Sequence, residues 1–67
     1  MLSEQHIVEE IKKRRLQLGW SQQELSVRSG VSRTHISNIE KGRFFPTLVT
    51  LGQILKPLNM SLEIKIS

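Results

Sequence analysis

Two polar-capped segments joined through a turn at Gly30 constrain this chain more than any other feature. Ser21-Gln22-Gln23-Glu24-Leu25 is followed, beyond Gly30, by Ser32-Arg33-Thr34-His35-Ile36-Ser37-Asn38-Ile39-Glu40. Each opens on a serine, a residue whose hydroxyl caps a helix N-terminus by accepting from one of its first amides. In the first segment Glu24 stands where a capping box needs it, to reach back to the amide of Ser21. Trp20, just outside the cap, takes the staple position facing Leu25. Gly30 can enter the left-handed conformation that stops a helix. Ser26 and Ser29 are small enough to let two helices cross closely. The pattern predicts two short helices joined by a tight turn, with Val31, Ile36 and Ile39 of the second facing inward.

The flanking segments supply the rest of a small helical domain. Ile7, Ile11 and Leu18 recur at helical spacing with Arg15 on the same stripe, predicting a first helix from Glu4 to Leu18 that ends at Gly19. The run Lys12-Lys13-Arg14-Arg15 near its end complements the helix dipole. Lys41-Gly42-Arg43 reads as a turn, and Phe44 and Phe45 as loop and core packing. Pro46-Thr47 starts a fourth helix with Thr47 as cap and Leu48, Leu51, Ile54, Leu55 and Leu58 as its buried stripe. Pro57, which lacks an amide hydrogen, ends it, with Asn59 as the turn residue.

Beyond that point the period changes. Leu58, Met60, Leu62, Ile64 and Ile66 alternate with Asn59, Ser61, Glu63, Lys65 and Ser67, the period of a half-buried strand. No other segment reads as a strand, so the natural partner is the same segment of a second copy. Met60, Leu62, Ile64 and Ile66 would then form a two-stranded antiparallel ribbon across a two-fold axis. The alternatives are a frayed C-terminus and a strand folded against its own helices. The expected fold is mainly α, with a four-helix helix-turn-helix domain over 1–58 and a C-terminal dimerisation strand over 59–67.

Length and charge narrow the function. A chain of 67 residues has room for one small core, and a domain of that size buries only about 60% of its unfolded surface. The chain has no cysteine, so neither a disulfide nor a thiolate metal site supplements that core, which leaves self-association. No apolar run is long enough to span a bilayer, and Met1-Leu2-Ser3-Glu4-Gln5 lacks the layout of a signal peptide. A soluble, cytoplasmic protein is expected. Net charge is +4, and eight basic residues lie between Lys12 and Arg43 against only Glu24 and Glu40. Such a local excess suits a polyanion.

The outer face of the third helix gives that polyanion a chemistry. Arg33, Thr34, Ser37 and Asn38 are left outside by the apolar residues. Arginine pairs bidentately with guanine and asparagine with adenine, and threonine meets a thymine methyl or a phosphate, so the set suits base reading. Lys41 and Arg43 follow where the chain would leave a groove beside the backbone, and are assigned to phosphates. Catalysis finds no support. His6 and His35 each lack a ligand-spaced partner, no glycine-rich phosphate loop is present, and capping explains Ser21 and Ser32. No enzyme activity, cofactor or metal is expected. His35, early in the third helix, is left to a phosphate contact or partial packing. A protein-interaction domain that has lost DNA binding is the competing class.

Residues from about Ile7 to Leu58 resemble the Cro/CI, or Xre, family of helix-turn-helix regulators. The likeness lies in Leu18-Gly19-Trp20-Ser21-Gln22-Gln23-Glu24-Leu25, Gly30-Val31-Ser32, Ile36-Ser37-Asn38-Ile39-Glu40-Lys41-Gly42 and Pro46-Thr47-Leu48. It implies that Gln22 holds the DNA backbone, that Arg33, Thr34 and Asn38 reach base edges, and that Arg15 and Glu40 form a structural ion pair. The phosphate-binding set is then Ser21, Gln22, Ser32, His35, Lys41 and Arg43. Ser26 departs from the family's usual alanine. The alternating tail also departs from the phage repressors and is similar to the HipB-type antitoxins, whose C-terminal strands pair in a dimer. That narrower likeness implies an antitoxin that represses its own operon and binds a kinase-like toxin; a nucleoid-associated homodimer on an inverted repeat in double-stranded DNA is expected. A stand-alone regulator is the alternative.

Overall fold

The computed structural model describes residues 3–63. Among them run four helices, α1 (Glu4–Gln17), α2 (Gln22–Ser29), α3 (Arg33–Glu40) and α4 (Leu48–Leu55). Each begins on a hydroxyl. Ser3, Ser21, Ser32 and Thr47 accept from the amides of His6, Glu24, His35 and Thr50 at 3.1, 3.0, 3.1 and 3.3 Å. Each such cap is worth about 1 kcal/mol, which matters in helices as short as α2 to α4.

The helix exits are equally specified. After α1, α3 and the turn that follows α4, the amides of Trp20, Arg43 and Met60 fold back to the carbonyls of Arg15, Asn38 and Leu55, each at 3.0 Å. This is the Schellman closure, and its left-handed position is filled by Gly19, Gly42 and Asn59. At the centre of the motif Gly30 has φ 76° and donates to the Ser26 carbonyl at 2.9 Å. Any other L-residue there would bring its Cβ too close to the following carbonyl, so the α2–α3 turn is written by this glycine.

The core draws on every element: Val8 and Ile11 from α1, Leu25 from α2, Val31 from the turn, Ile36 and Ile39 from α3, Leu51, Ile54 and Leu55 from α4, and Leu58 beyond it. Ile7, Trp20, Phe45 and Met60 pack around this cluster. Helix α2 lies against α3 and α4, and α1 against α3, so α3 is held from behind while its polar face stays outside.

Several expectations require correction. The buried stripe of α1 is Val8, Ile11 and Arg15, with Ile7 half-buried; Leu18 lies past the last helical residue and is 37% exposed. The capping box at Ser21 closes in one direction only, because the Glu24 carboxylate takes Arg28 Nε at 3.1 Å. Leu48 is 74% exposed although it stands on the stripe of Leu51 and Leu55. It is the first residue of α4, and helical side chains lean toward the N-terminus, so it leans off the end of the helix.

The tail also differs. Among the described residues there is no strand. Met60, expected in a ribbon between chains, is half-buried against its own core. Its amide closes the Schellman turn onto Leu55, a geometry that habitually brings that residue back onto the helix. Leu62 is 37% exposed in irregular backbone. Ile64 and Ile66 lie outside the described residues.

Candidate nucleic-acid interface

The site starts with a buried ion pair. Arg15 stands four residues after Ile11 on α1 and is drawn inward with it, the side chains of Arg15 and Glu40 being only 7% and 3% exposed. Arg15 Nε and Nη2 donate to Glu40 Oε2 and Oε1 at 2.8 and 2.9 Å, and Nη1 donates to the Trp20 carbonyl at 2.7 Å. The pairing is bidentate, the stronger and more directional mode for a guanidinium. Through it α1, the α1–α2 turn and the end of α3 share one polar knot, and no buried side-chain nitrogen or oxygen among the described residues lacks a partner.

The knot reaches the surface through Gln22. Its Nε2 donates to Glu40 Oε1 at 3.2 Å, so the first residue of α2 is held over the end of α3. Gln22 then lines a shallow concavity with Arg33, Thr34, Ser37, Asn38, Lys41 and Arg43. Arg33 and Thr34 are exposed, and Ser37 and Asn38 half-buried. Their polar atoms face outward because Ile36 and Ile39 occupy the opposite side of a helix two turns long.

Charge on this surface is one-sided. The nearby carboxylate, Glu40, is buried and countered by Arg15, so the concavity offers Arg33, Lys41 and Arg43 without an exposed acid among its lining residues. Of the basic residues from Lys12 to Arg43, three outside the concavity are engaged with the protein's own groups. Arg15 is in the knot, Arg14 Nε donates to the Leu58 carbonyl at 3.1 Å, and Arg28 lies 4.2 Å above the Trp20 ring while bonded to Glu24. The contact of Arg14 has no signal in the sequence, since its acceptor is created by the turn after α4. The stacking of Arg28 has a faint one in the Trp20-to-Arg28 separation, about two helical turns.

The other expected phosphate ligands lie outside the concavity. The Ser21 and Ser32 hydroxyls accept from the amides they cap. Each keeps its own O–H to donate. His35 is half-buried and packs against Phe44, ring centroids 5.1 Å apart at an interplanar angle of 57°. This contact accounts for an imidazole near the start of α3 without assigning it a ligand. Among the described residues no group of three or more histidines or acids gathers to hold a metal ion. No described helix is long and apolar enough to cross a membrane.

Comparison with known proteins places this geometry in a family setting. A helix-turn-helix family profile matches residues 11–65. A Haemophilus influenzae protein named as an uncharacterized HTH-type transcriptional regulator is 43% identical over 58 residues, which cover 87% of this chain and 59% of the relative. A protein of the same description from Methanothermobacter thermautotrophicus is 42% identical over 49 residues, covering 73% of this chain and 71% of its own. The ImmF control region 10 kDa protein of Bacillus phage phi105 is 37% identical over 54 residues, covering 81% and 60%. The chain thus spans about six-tenths of the length of two of these relatives. No solved structure matches it significantly.

Proposed function

Because the chain belongs to the helix-turn-helix family of the Cro/CI, or Xre, type, we propose that it is a sequence-specific DNA-binding repressor. The carrying observation is the concavity on α2 and α3, where amide, hydroxyl and cationic side chains stand together and the adjoining carboxylate is turned inward to Arg15. The major groove of B-DNA admits an α-helix. With α3 lying in it, Arg33, Thr34, Ser37 and Asn38 read base edges. Gln22, Lys41 and Arg43 hold phosphates, together with the helix N-termini at Ser21 and Ser32 and, at the edge, His35. The relatives named as transcriptional regulators support this reading.

The domain over 1–58 acts as one half of a homodimer, with 59–67 as the element that joins the halves, Leu62, Ile64 and Ile66 pairing with their counterparts. Two α3 helices then enter successive major grooves about 34 to 36 Å apart on one face of an inverted-repeat operator. Repression follows from occupying a promoter. In its finest form the proposal is a cytoplasmic, nucleoid-associated antitoxin that represses its own operon and binds a kinase-like toxin, a reading supported by the alternating pattern of the tail. The alternative is a stand-alone regulator, phage or chromosomal, without a toxin.

The test is selection of bound duplexes from a random pool by the full chain. Enrichment of an inverted repeat supports a dimeric reader, a single half-site supports a monomeric one, and no enrichment sinks the assignment. Capture of the tagged chain from nuclease-treated lysate then separates the finer readings. A stoichiometric kinase-like protein supports the antitoxin, and the chain alone supports the stand-alone regulator.

A further inference from the structure

Resting on the DNA-reading proposal, we infer that Arg43 determines specificity by acting through Asn38, setting that residue to read guanine in preference to adenine. The observation is one side-chain hydrogen bond, from Arg43 Nη1 to Asn38 Oδ1 at 3.2 Å. A guanidinium has five donors and no acceptor, so the atom of the amide that faces it is the carbonyl oxygen. The planar amide therefore carries its two N–H donors on its other side. The backbone supports this pairing independently, because the Schellman closure at Gly42 ties the Arg43 amide to the Asn38 carbonyl at 3.0 Å. The two residues are held together before their side chains meet.

The consequence appears at the base edges. In the major groove adenine presents the N7 acceptor beside the N6 amino donor, whereas guanine presents two acceptors, N7 and O6. Asparagine reads adenine bidentately only by turning Oδ1 to the amino group. Here Oδ1 already accepts from Arg43, and the amide offers donors. An amide oxygen has two lone pairs, so adenine is read only with its amino group sharing Oδ1 with the cation, donor beside donor, whereas guanine offers acceptors alone and leaves that oxygen to Arg43. A guanidinium at that oxygen is attracted to the acceptors of guanine and repelled by the amino donor of adenine, so the choice tips to guanine. The remaining donors of Arg43 stay available for the phosphate, and the two roles coexist.

The test is duplex selection by the full chain, by Arg43→Met and by Arg43→Met in an Asn38→Ala background, with thermal melting as the check on folding. The wild type is expected to prefer guanine over adenine at the Asn38 position by about tenfold. Arg43→Met is expected to weaken all sites and to move that one position toward adenine, and the Asn38→Ala background to abolish the move. A uniform loss without re-ranking overturns the inference and leaves Arg43 a phosphate ligand. As a second measurement that does not depend on folding of a variant, 7-deazaguanine at that position should weaken wild-type binding about tenfold. Unchanged affinity overturns the inference. If the wild type selects no sequence at all, the reader assignment itself has failed, which is a different result from a reader whose ranking ignores Arg43.

Discussion

Two arginines meet side-chain oxygens of the same helix, α3, and the protein treats them differently. Arg15 meets Glu40 bidentately at 2.8 and 2.9 Å with both side chains nearly sealed from solvent. Arg43 meets Asn38 through one bond at 3.2 Å on the exposed side. The residue types are similar and the environments are not. Water-excluded charges must be satisfied by each other, because losing one partner strands the other, whereas exposed charges exchange partners with solvent at little cost. Burial therefore decides whether an arginine is part of the scaffold or is available to a ligand, and the end of α3 meets one of each kind within a single turn.

The largest effect should come from breaking the buried side of this comparison. Glu40→Ala leaves the Arg15 guanidinium buried without its carboxylate and frees Gln22, and is expected to cost about 3 to 5 kcal/mol. A single small core has little stability to spare, so denaturant titration should find the variant largely unfolded. The double substitution Arg15→Met with Glu40→Leu removes both charges and should recover most of the loss. If the double variant is as unstable as the single one, the knot is not an ion pair in energetic terms and the contrast drawn above is void.

On the exposed side the effects move from stability to binding. Arg33→Ala and Asn38→Ala should each weaken binding to the selected operator by about 1 to 3 kcal/mol, read by fluorescence anisotropy. The melting temperature should barely move, since surface substitutions usually lie within about 0.5 kcal/mol. Lys41→Ala should act more mildly and in a different way, lowering affinity for every duplex alike and reducing the slope of log K against log salt by about 0.9. A base-dependent loss at Lys41 would place it among the readers and redraw the division between phosphate and base contacts.

What the sequence made legible follows the same line between local and distant physics. The caps at Ser21, Ser32 and Thr47 and the left-handed turns at Gly30 and Asn59 depend on a few neighbouring residues, and these elements stand where their patterns predict them. The outward placement of Arg33, Thr34, Ser37 and Asn38 follows from helical period against Ile36 and Ile39. Distant contacts were not legible in that way. Arg15 and Glu40 are 25 residues apart, and their pairing came from a family likeness rather than from spacing. Whether Glu24 closes its own cap or takes Arg28, and whether Met60 meets a second chain or its own core, each set a local preference against tertiary packing. At Leu48 the period was right but the helix began beyond the edge of the core.

The smallest expected effect completes the comparison, because it concerns an ion pair on the solvent-facing side. Glu24 and Arg28 meet at 3.1 Å with side chains 43% and 49% exposed. An exposed pair at this helical spacing is worth about 0.2 to 0.5 kcal/mol and is screened by salt. Glu24→Gln should therefore lower stability by about that much in dilute buffer and by almost nothing at high ionic strength, measured by denaturant titration at both. Arg28→Ala should cost more, by about 0.5 to 1 kcal/mol, since it also removes the cation from the Trp20 ring, and that increment should resist salt. If Glu24→Gln approached the cost of Glu40→Ala, exposure would not be what separates the two pairs. The division of this domain's arginines into scaffold and ligand-facing groups would then need another physical basis.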